Sequence, residues 1–182
     1  MSRYRRSNTH GATYFFTVVS YRRQAILCEE PIRAALREAI TNVRGKRPFT
    51  IDAWILLPDH MHCIWTLPAE DADYATRWSM IKRQVSVACG REYLRAEWHN
   101  PSKRKHREST IWQRRYWEHR IRDEEDFARH MDYVHYNPVK HRCCKQVAAW
   151  PYSSFHRYVA RGVYALDWGS EMQEITEIQA GE

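Results

Sequence analysis

The sequence contains no run approaching the roughly 18 consecutive apolar residues of a membrane-spanning helix, which excludes an integral membrane protein of the helical kind. Its Arg-rich beginning lacks the apolar stretch of a secretory leader, so a secreted protein is excluded and a cytoplasmic location is expected. Cysteine is sparse and poorly spaced for structural chemistry: the five residues 28, 63, 89, 143 and 144 form an odd set without a C-x-x-C pair. That spacing fits neither a disulfide framework nor a zinc knuckle, and reduced thiols are expected. Repeats and long linkers are also missing from the 182 residues, a length that suits one domain with its own core. With 43% hydrophobic and 13% aromatic residues, the chain is too apolar to be disordered.

Lysine is scarce too. Of 29 basic residues 23 are Arg, the side chain suited to bidentate phosphate contacts and to stacking. Residues 1–47 carry 10 basic and 3 acidic side chains, and residues 101–122 carry 8 and 2. Residues 167–182 reverse the sign, with 5 acidic and no basic residues. Basic blocks interleaved with Tyr and Trp point to a nucleic-acid surface, single-stranded in particular; a plain solvated basic face is the alternative.

Patterning predicts the elements. Tyr14 to Ser20 is aromatic and β-branched, a buried strand. Pro31 suits a helix first turn, and Ile32, Ala35, Leu36, Ala39, Ile40 and Val43 follow helical spacing up to Gly45. Strands are expected at Phe49 to Leu57 and Met61 to Leu67, each stopped by a proline, and a second helix at about Tyr74 to Leu94. Trp98 to Thr110 reads as a polar, basic loop, and Tyr116 to Ile121 as a fourth strand. Asp123 is a candidate N-cap, with Glu124, Glu125 and Asp126 favourable in the first turn of a third helix that Pro138 should end at Asn137. This order implies an α+β fold, a ferredoxin-like antiparallel sheet with helices mainly on one face.

The chemistry-bearing segment is Pro58-Asp59-His60-Met61-His62. On a strand, His60 and His62 project to one face while Met61 points to the other, which supplies half of a divalent-metal site. An isolated H-x-H is also compatible with two polar-face histidines. Tyr133 and Asn137 lie four residues apart, hence on one helix face, where a phenol and an amide oxygen can act as nucleophile and third ligand. The same two residues also suit a packing aromatic and a cap before Pro138, so the pattern alone leaves both readings open.

Four blocks together, P-D-H-M-H-C, W-Q-R-R-Y-W-E-H, D-Y-V-H-Y-N-P-V-K-H and W-P-Y-S-S-F, resemble the REP-associated tyrosine transposases of the HUH superfamily of single-strand DNA nucleases. The resemblance runs from about Tyr4 to Trp168, which delimits a 1–168 transposase domain and an acidic tail at 169–182. It implies the ferredoxin-like sheet, His60 and His62 as metal ligands, Tyr133 as catalytic tyrosine and Asn137, where insertion-sequence relatives usually have Gln, as third ligand. Tyr136 and Tyr116 compete for the nucleophile's role, and His130 is a candidate helper, since an ordinary phenol titrates near about 10 and is scarcely ionised at neutral pH. The implied activity is a Mg²⁺- or Mn²⁺-assisted transesterification through a 5′-phosphotyrosine. The implied partner is single-stranded DNA folded into a REP hairpin with a flanking tetranucleotide. The alternative is a domesticated hairpin-binding protein that does not cut. A rolling-circle initiator and an RNP-type RNA binder fit less well, for want of a helicase segment and of the aromatic RNP signature. Relatives of this kind are expected to act as monomers, whereas insertion-sequence relatives pair as dimers.

The resemblance gives the basic blocks a task. Arg3, Tyr4, Arg5 and Arg6 form an arm suited to reading a single-stranded flank, Lys103, Arg104, Lys105 and Arg107 suit hairpin phosphates, and Arg114 and Arg115, flanked by Trp112 and Trp117, suit DNA contact. Trp54 and Trp65, inside strands, are expected in the core. Glu171, Glu174 and Glu177 on the acidic tail are expected to compete with DNA for the basic groove or to be a solubilising end.

Overall fold

Every second residue of a strand faces the same way, and here both sets are apolar or aromatic, so the sheet must be covered on both sides. In the computed structural model the strands are β1 (Thr13–Val19), β2 (Thr50–Leu56), β3 (His60–Thr66) and β4 (Trp117–Arg120), all antiparallel in the order β2-β3-β1-β4. The helices are α1 (Glu30–Lys46), α2 (Tyr74–Tyr93), α3 (Pro101–His106), α4 (Glu124–Lys140) and α5 (Phe155–Ala160). The structure describes residues 8–99, 101–106 and 108–170, without the side chains of 102, 104 and 106. Arg3, Tyr4, Arg5, Arg6, Arg107, the Arg104 side chain and the tail glutamates therefore lie outside the described residues.

The run β1-α1-β2-β3-α2-β4 with this strand order is the ferredoxin-like arrangement expected from the sequence. Tyr14, Phe16 and Val18 of β1 and Met61, Cys63 and Trp65 of β3 pack under α1 and α2, where Trp65 stacks on Trp78 with ring centroids 4.1 Å apart. Phe15, Ile55 and Ile64 face the other way, against Met131, Tyr133 and Val134 of α4. Helices α1 and α2 thus share one face as expected, and α4 covers the opposite one. Among the described residues, no helix is long and apolar enough to cross a membrane.

Three local features position the site. Asp123 caps α4 as expected, its Oδ1 accepting from the Asp126 amide at 2.8 Å, which fixes where the helix starts. The expected end at Asn137 is corrected: Pro138 lies inside the helix, which runs on to Lys140. Proline forfeits its own donor, but the amides of His141 and Cys143 still reach the carbonyls of Asn137 and Pro138 at 2.9 and 2.8 Å and hold a final turn. The W-P-Y-S-S-F block seals the outer edge of β2. The Leu56 amide donates to the Tyr152 carbonyl, the Trp54 amide to the Ser154 hydroxyl, and the Trp150 indole to the Leu56 carbonyl, each at 2.9 Å.

Three expectations for residues 98–116 are also corrected. The segment is not all loop, since it contains α3, and Lys103 is buried, with Nζ donating to the Ser109 carbonyl at 3.0 Å and lying 3.7 Å from the Tyr21 ring centroid. Trp112 belongs to the α1/α2 core rather than to an open DNA face. An aromatic ring and a long cationic stem bury readily when a neighbouring π-face receives the charge, and sequence position does not reveal that neighbour.

Candidate active site

The turn before β3 is held from three directions. The Leu27 amide donates to the Pro58 carbonyl and the Ser20 amide to the Asp59 carbonyl, both at 2.8 Å, and Arg23 donates to Asp59 Oδ2 at 2.9 Å. Arg22 and Arg23 adopt left-handed backbone (φ 57° and 52°), an uncommon state for side-chain-bearing residues in the stretch that delivers this guanidinium. Burial pushes the Asp59 carboxyl up, but hydrogen bonds from His60 and Arg23 outweigh it and hold the group at about 2.

Asp59 Oδ1 lies 2.6 Å from His60 Nδ1, so that nitrogen carries the proton it donates to the carboxylate. His60 Nε2 is then a buried lone pair, and it has no hydrogen-bond partner among the described residues. His62, two positions on, sits opposite Thr17 of β1, with its Nδ1 2.9 Å from the Thr17 hydroxyl. The two imidazoles are edge to face, 5.0 Å between centroids, and both are fully buried. A carboxylate behind one imidazole, a hydroxyl behind the next and a buried nitrogen without a partner among the described residues make a pair that could hold a metal ion.

Helix α4 lies across this pair. The Tyr133 ring is 5.3 Å from that of His62 and packs edge-on against Phe15, and only 3% of the residue is exposed. Asn137, one turn later, is wholly buried. The structure therefore brings together His60, His62 and Tyr133, with Asn137 on the same helix face. Lys140, to which the sequence assigned no role, donates from Nζ to Tyr133 Oη at 2.9 Å. His141, the residue after α4, places its ring 4.8 Å from that of His60.

The competing tyrosines are elsewhere. Tyr116 contacts Phe16, Tyr74 and Trp78, on the α1/α2 face of the sheet, and Tyr136 turns to Trp168, 6.3 Å away. His130 is committed to the start of α4, with Nδ1 2.7 Å from the Asp126 carbonyl, and burial lowers its pKa. It forms with His119 and Asp126 a cluster whose candidate ligand atoms lie within 4.8 Å of one another. The Asp126 carboxylate there already takes His119 at 2.8 Å and Arg122 at 3.2 Å, with Arg129 at 3.5 Å, so its charge is met by the protein itself. Lys105, Arg114 and Arg115 are exposed; Arg114 lines a groove of about 960 Å³ with Lys82, Arg83 and Tyr116.

Residues 8–137 match the family described as Transposase IS200 like. The chain is 46% identical over 182 residues to the REP-associated tyrosine transposase of Escherichia coli (strain K12), covering 100% of this chain and 98% of that one. It superimposes with a TM-score of 0.83, at 46% identity and again over 100% and 98% of the two chains, on a REP-associated tyrosine transposase solved bound to a REP hairpin. With the family match spanning more than half the chain and the relatives matching end to end, the chain belongs to the IS200-like transposase family, among its REP-associated tyrosine transposases.

Proposed function

We propose that this transposase is a metal-dependent single-strand DNA endonuclease and strand transferase that acts on REP-type hairpins with a short single-stranded flank, with Tyr133 as nucleophile. The observation that carries the reading is the buried His60 Nε2, without a hydrogen-bond partner among the described residues, beside His62, whose ring lies 5.3 Å from that of Tyr133. His60 and His62 would hold Mg²⁺ or Mn²⁺, with Asn137 as third ligand. When bound, the cation supplies Lewis-acid polarisation of a non-bridging phosphate oxygen.

The chain's own residues do the rest. Asp59 and Thr17 fix the imidazole orientations through their Nδ1 atoms. Phe15 packs edge-on against the Tyr133 ring and restrains it, which lowers the ordering cost when the phenol meets the phosphodiester. In the cleavage step the Tyr133 Oη–phosphorus bond forms and the bond from phosphorus to the 3′-oxygen breaks. The product is a 5′-phosphotyrosine, and the released 3′-oxygen takes up the proton that the phenol gave to solvent. The reverse attack by the 3′-hydroxyl of another strand rejoins DNA and frees the tyrosine. Strands β1 and β3, the turn before β3 and helix α4 of a single chain supply every group named so far, which supports a working monomer. Lys105, Arg114 and Arg115, with the amino-terminal arm, would hold phosphates of the hairpin and its flank.

The test is covalent capture on a labelled single-stranded REP hairpin with Mn²⁺. Wild type should give a denaturation-resistant adduct that Tyr133→Phe loses. An adduct surviving in the variant moves the nucleophile to another tyrosine, and tight hairpin binding without any adduct makes the chain a domesticated binder.

A further inference from the structure

We infer that Lys140 is a further catalytic residue, holding negative charge on the Tyr133 oxygen while that oxygen attacks and again while it leaves. The inference rests on the assignment of Tyr133 as nucleophile and adds the group that acts on its oxygen.

The geometry is specific. Lys140 stands two helical turns beyond Tyr133, on the turn of α4 that continues past Pro138. Helical side chains lean toward the helix N-terminus, so a long side chain at this position is directed back along α4 toward the tyrosine. Nζ reaches 2.9 Å from Tyr133 Oη and 4.6 Å from the ring centroid, placing the ammonium beside the hydroxyl rather than over the centre of the ring. An ammonium only donates, so the phenol oxygen is the acceptor in this contact. Tyr133 is buried whereas Lys140 is exposed, so the lysine reaches the phenol oxygen from the solvent side.

The chemistry requires such a group. A phenol whose ring is packed between Phe15 and His62 develops charge away from bulk water, where a fixed cation at hydrogen-bonding distance is worth more than in solution. In the forward step the phenol proton passes to solvent, Oη bonds to phosphorus, and the 3′-oxygen departs and is protonated. In the return step the 3′-hydroxyl gives its proton to solvent, its oxygen bonds to phosphorus, and the phosphorus–Oη bond breaks as the phenolate leaves toward Lys140 and takes a proton back from solvent. The same ammonium stabilises the same oxygen in both directions. A single removal should therefore slow cleavage and rejoining together.

The experiment compares Lys140→Met, Lys140→Arg and wild type under single turnover, measuring adduct formation with Mn²⁺, rejoining from the isolated adduct, hairpin affinity, and Mn²⁺ affinity without DNA. Lys140→Met should slow both chemical steps by about 100-fold, the usual loss for one preorganised donor on a developing oxyanion. Its hairpin and Mn²⁺ affinities should stay within about threefold, and Lys140→Arg should recover most of both rates. Wild-type rates in Lys140→Met overturn the inference while leaving the nucleophile assignment intact. A loss confined to hairpin affinity makes Lys140 a phosphate anchor, and a loss of Mn²⁺ affinity or of thermal stability makes it structural; either result overturns the inference. Failure of wild type itself to form an adduct removes the nucleophile reading and the inference with it.

Discussion

Under α1 and α2, strand β3 contributes Met61, Cys63 and Trp65 to a closely packed aromatic layer; under α4 the same strand contributes His60 and His62. Both faces exclude water, and both hold buried polar atoms without a hydrogen-bond partner among the described residues, the indole nitrogens of Trp65 and Trp78 on the first and His60 Nε2 on the second. An indole N–H only donates, however, whereas an imidazole lone pair can bind a cation. Arg77, fully buried on the first face, has its guanidinium shared among the carbonyls of Arg47, Pro48 and Asp73 and the Asp71 carboxylate. His60 on the second face has one nitrogen tied to Asp59 and the other unmatched. A buried polar group that is fully satisfied supports the fold, whereas one left open costs stability unless something outside the chain completes it. The two faces divide the molecule into scaffold and site.

Substitutions can break that division. Trp78→Ala, which opens a cavity against Trp65, should lower unfolding free energy by about 3–5 kcal/mol in denaturant titrations. The remaining folded protein should cleave at close to the wild-type rate, and a proportionate loss of rate would show that the faces are not independent. His60→Ala should do the reverse, reducing cleavage by more than about 100-fold, beyond the cost of removing a partner behind a metal ligand, with little change in thermal midpoint. Mixing His60→Ala with Tyr133→Phe should restore no cleavage if each chain completes its own site; recovery would show a site shared between two copies. Asp59→Asn should cost about 10–100-fold in cleavage through weakened Mn²⁺ affinity, since it removes the charge that orients His60.

The smallest effect concerns the corner where β4 meets α4. Burial raises the Asp126 carboxyl, but His119 and Arg122 outweigh it and hold it well below the usual carboxylate range. Its contribution to stability is complete above the ordinary carboxylate value of about 4 and is lost as pH falls through the depressed value, because the unfolded chain then binds the proton first. Asp126→Asn should lower the thermal midpoint at pH 7 by about 2–4 °C and flatten its decline toward acid. An unchanged acid limb would mean that the corner carries no linkage.

Particular residues show how far the sequence could be read. The strands were legible because their alternation and β-branched content leave few alternatives, and α4's start because Asp123 and three acids announce it. His60, His62 and Tyr133 were legible as types at a spacing, and as a set only through the resemblance of four blocks. Trp112 and Lys103 were misplaced because an aromatic beside arginines looks the same in sequence whether it stacks on DNA or on Trp78's layer. Lys140 was missed for a single reason. The rule that proline ends a helix hid the last turn of α4, and with it the contact to Tyr133.

By itself the amino-acid sequence determined the elements, the ferredoxin-like order and the residue types available for metal and phosphate chemistry, since these depend on local periodicity and composition. Only the tertiary structure decided which nitrogen of His60 stays open, which of three tyrosines meets the histidines, and that a lysine seven residues on reaches the phenol. Those outcomes depend on packing between segments far apart in the chain, where distances of a few ångströms separate a ligand or nucleophile from a residue of the core.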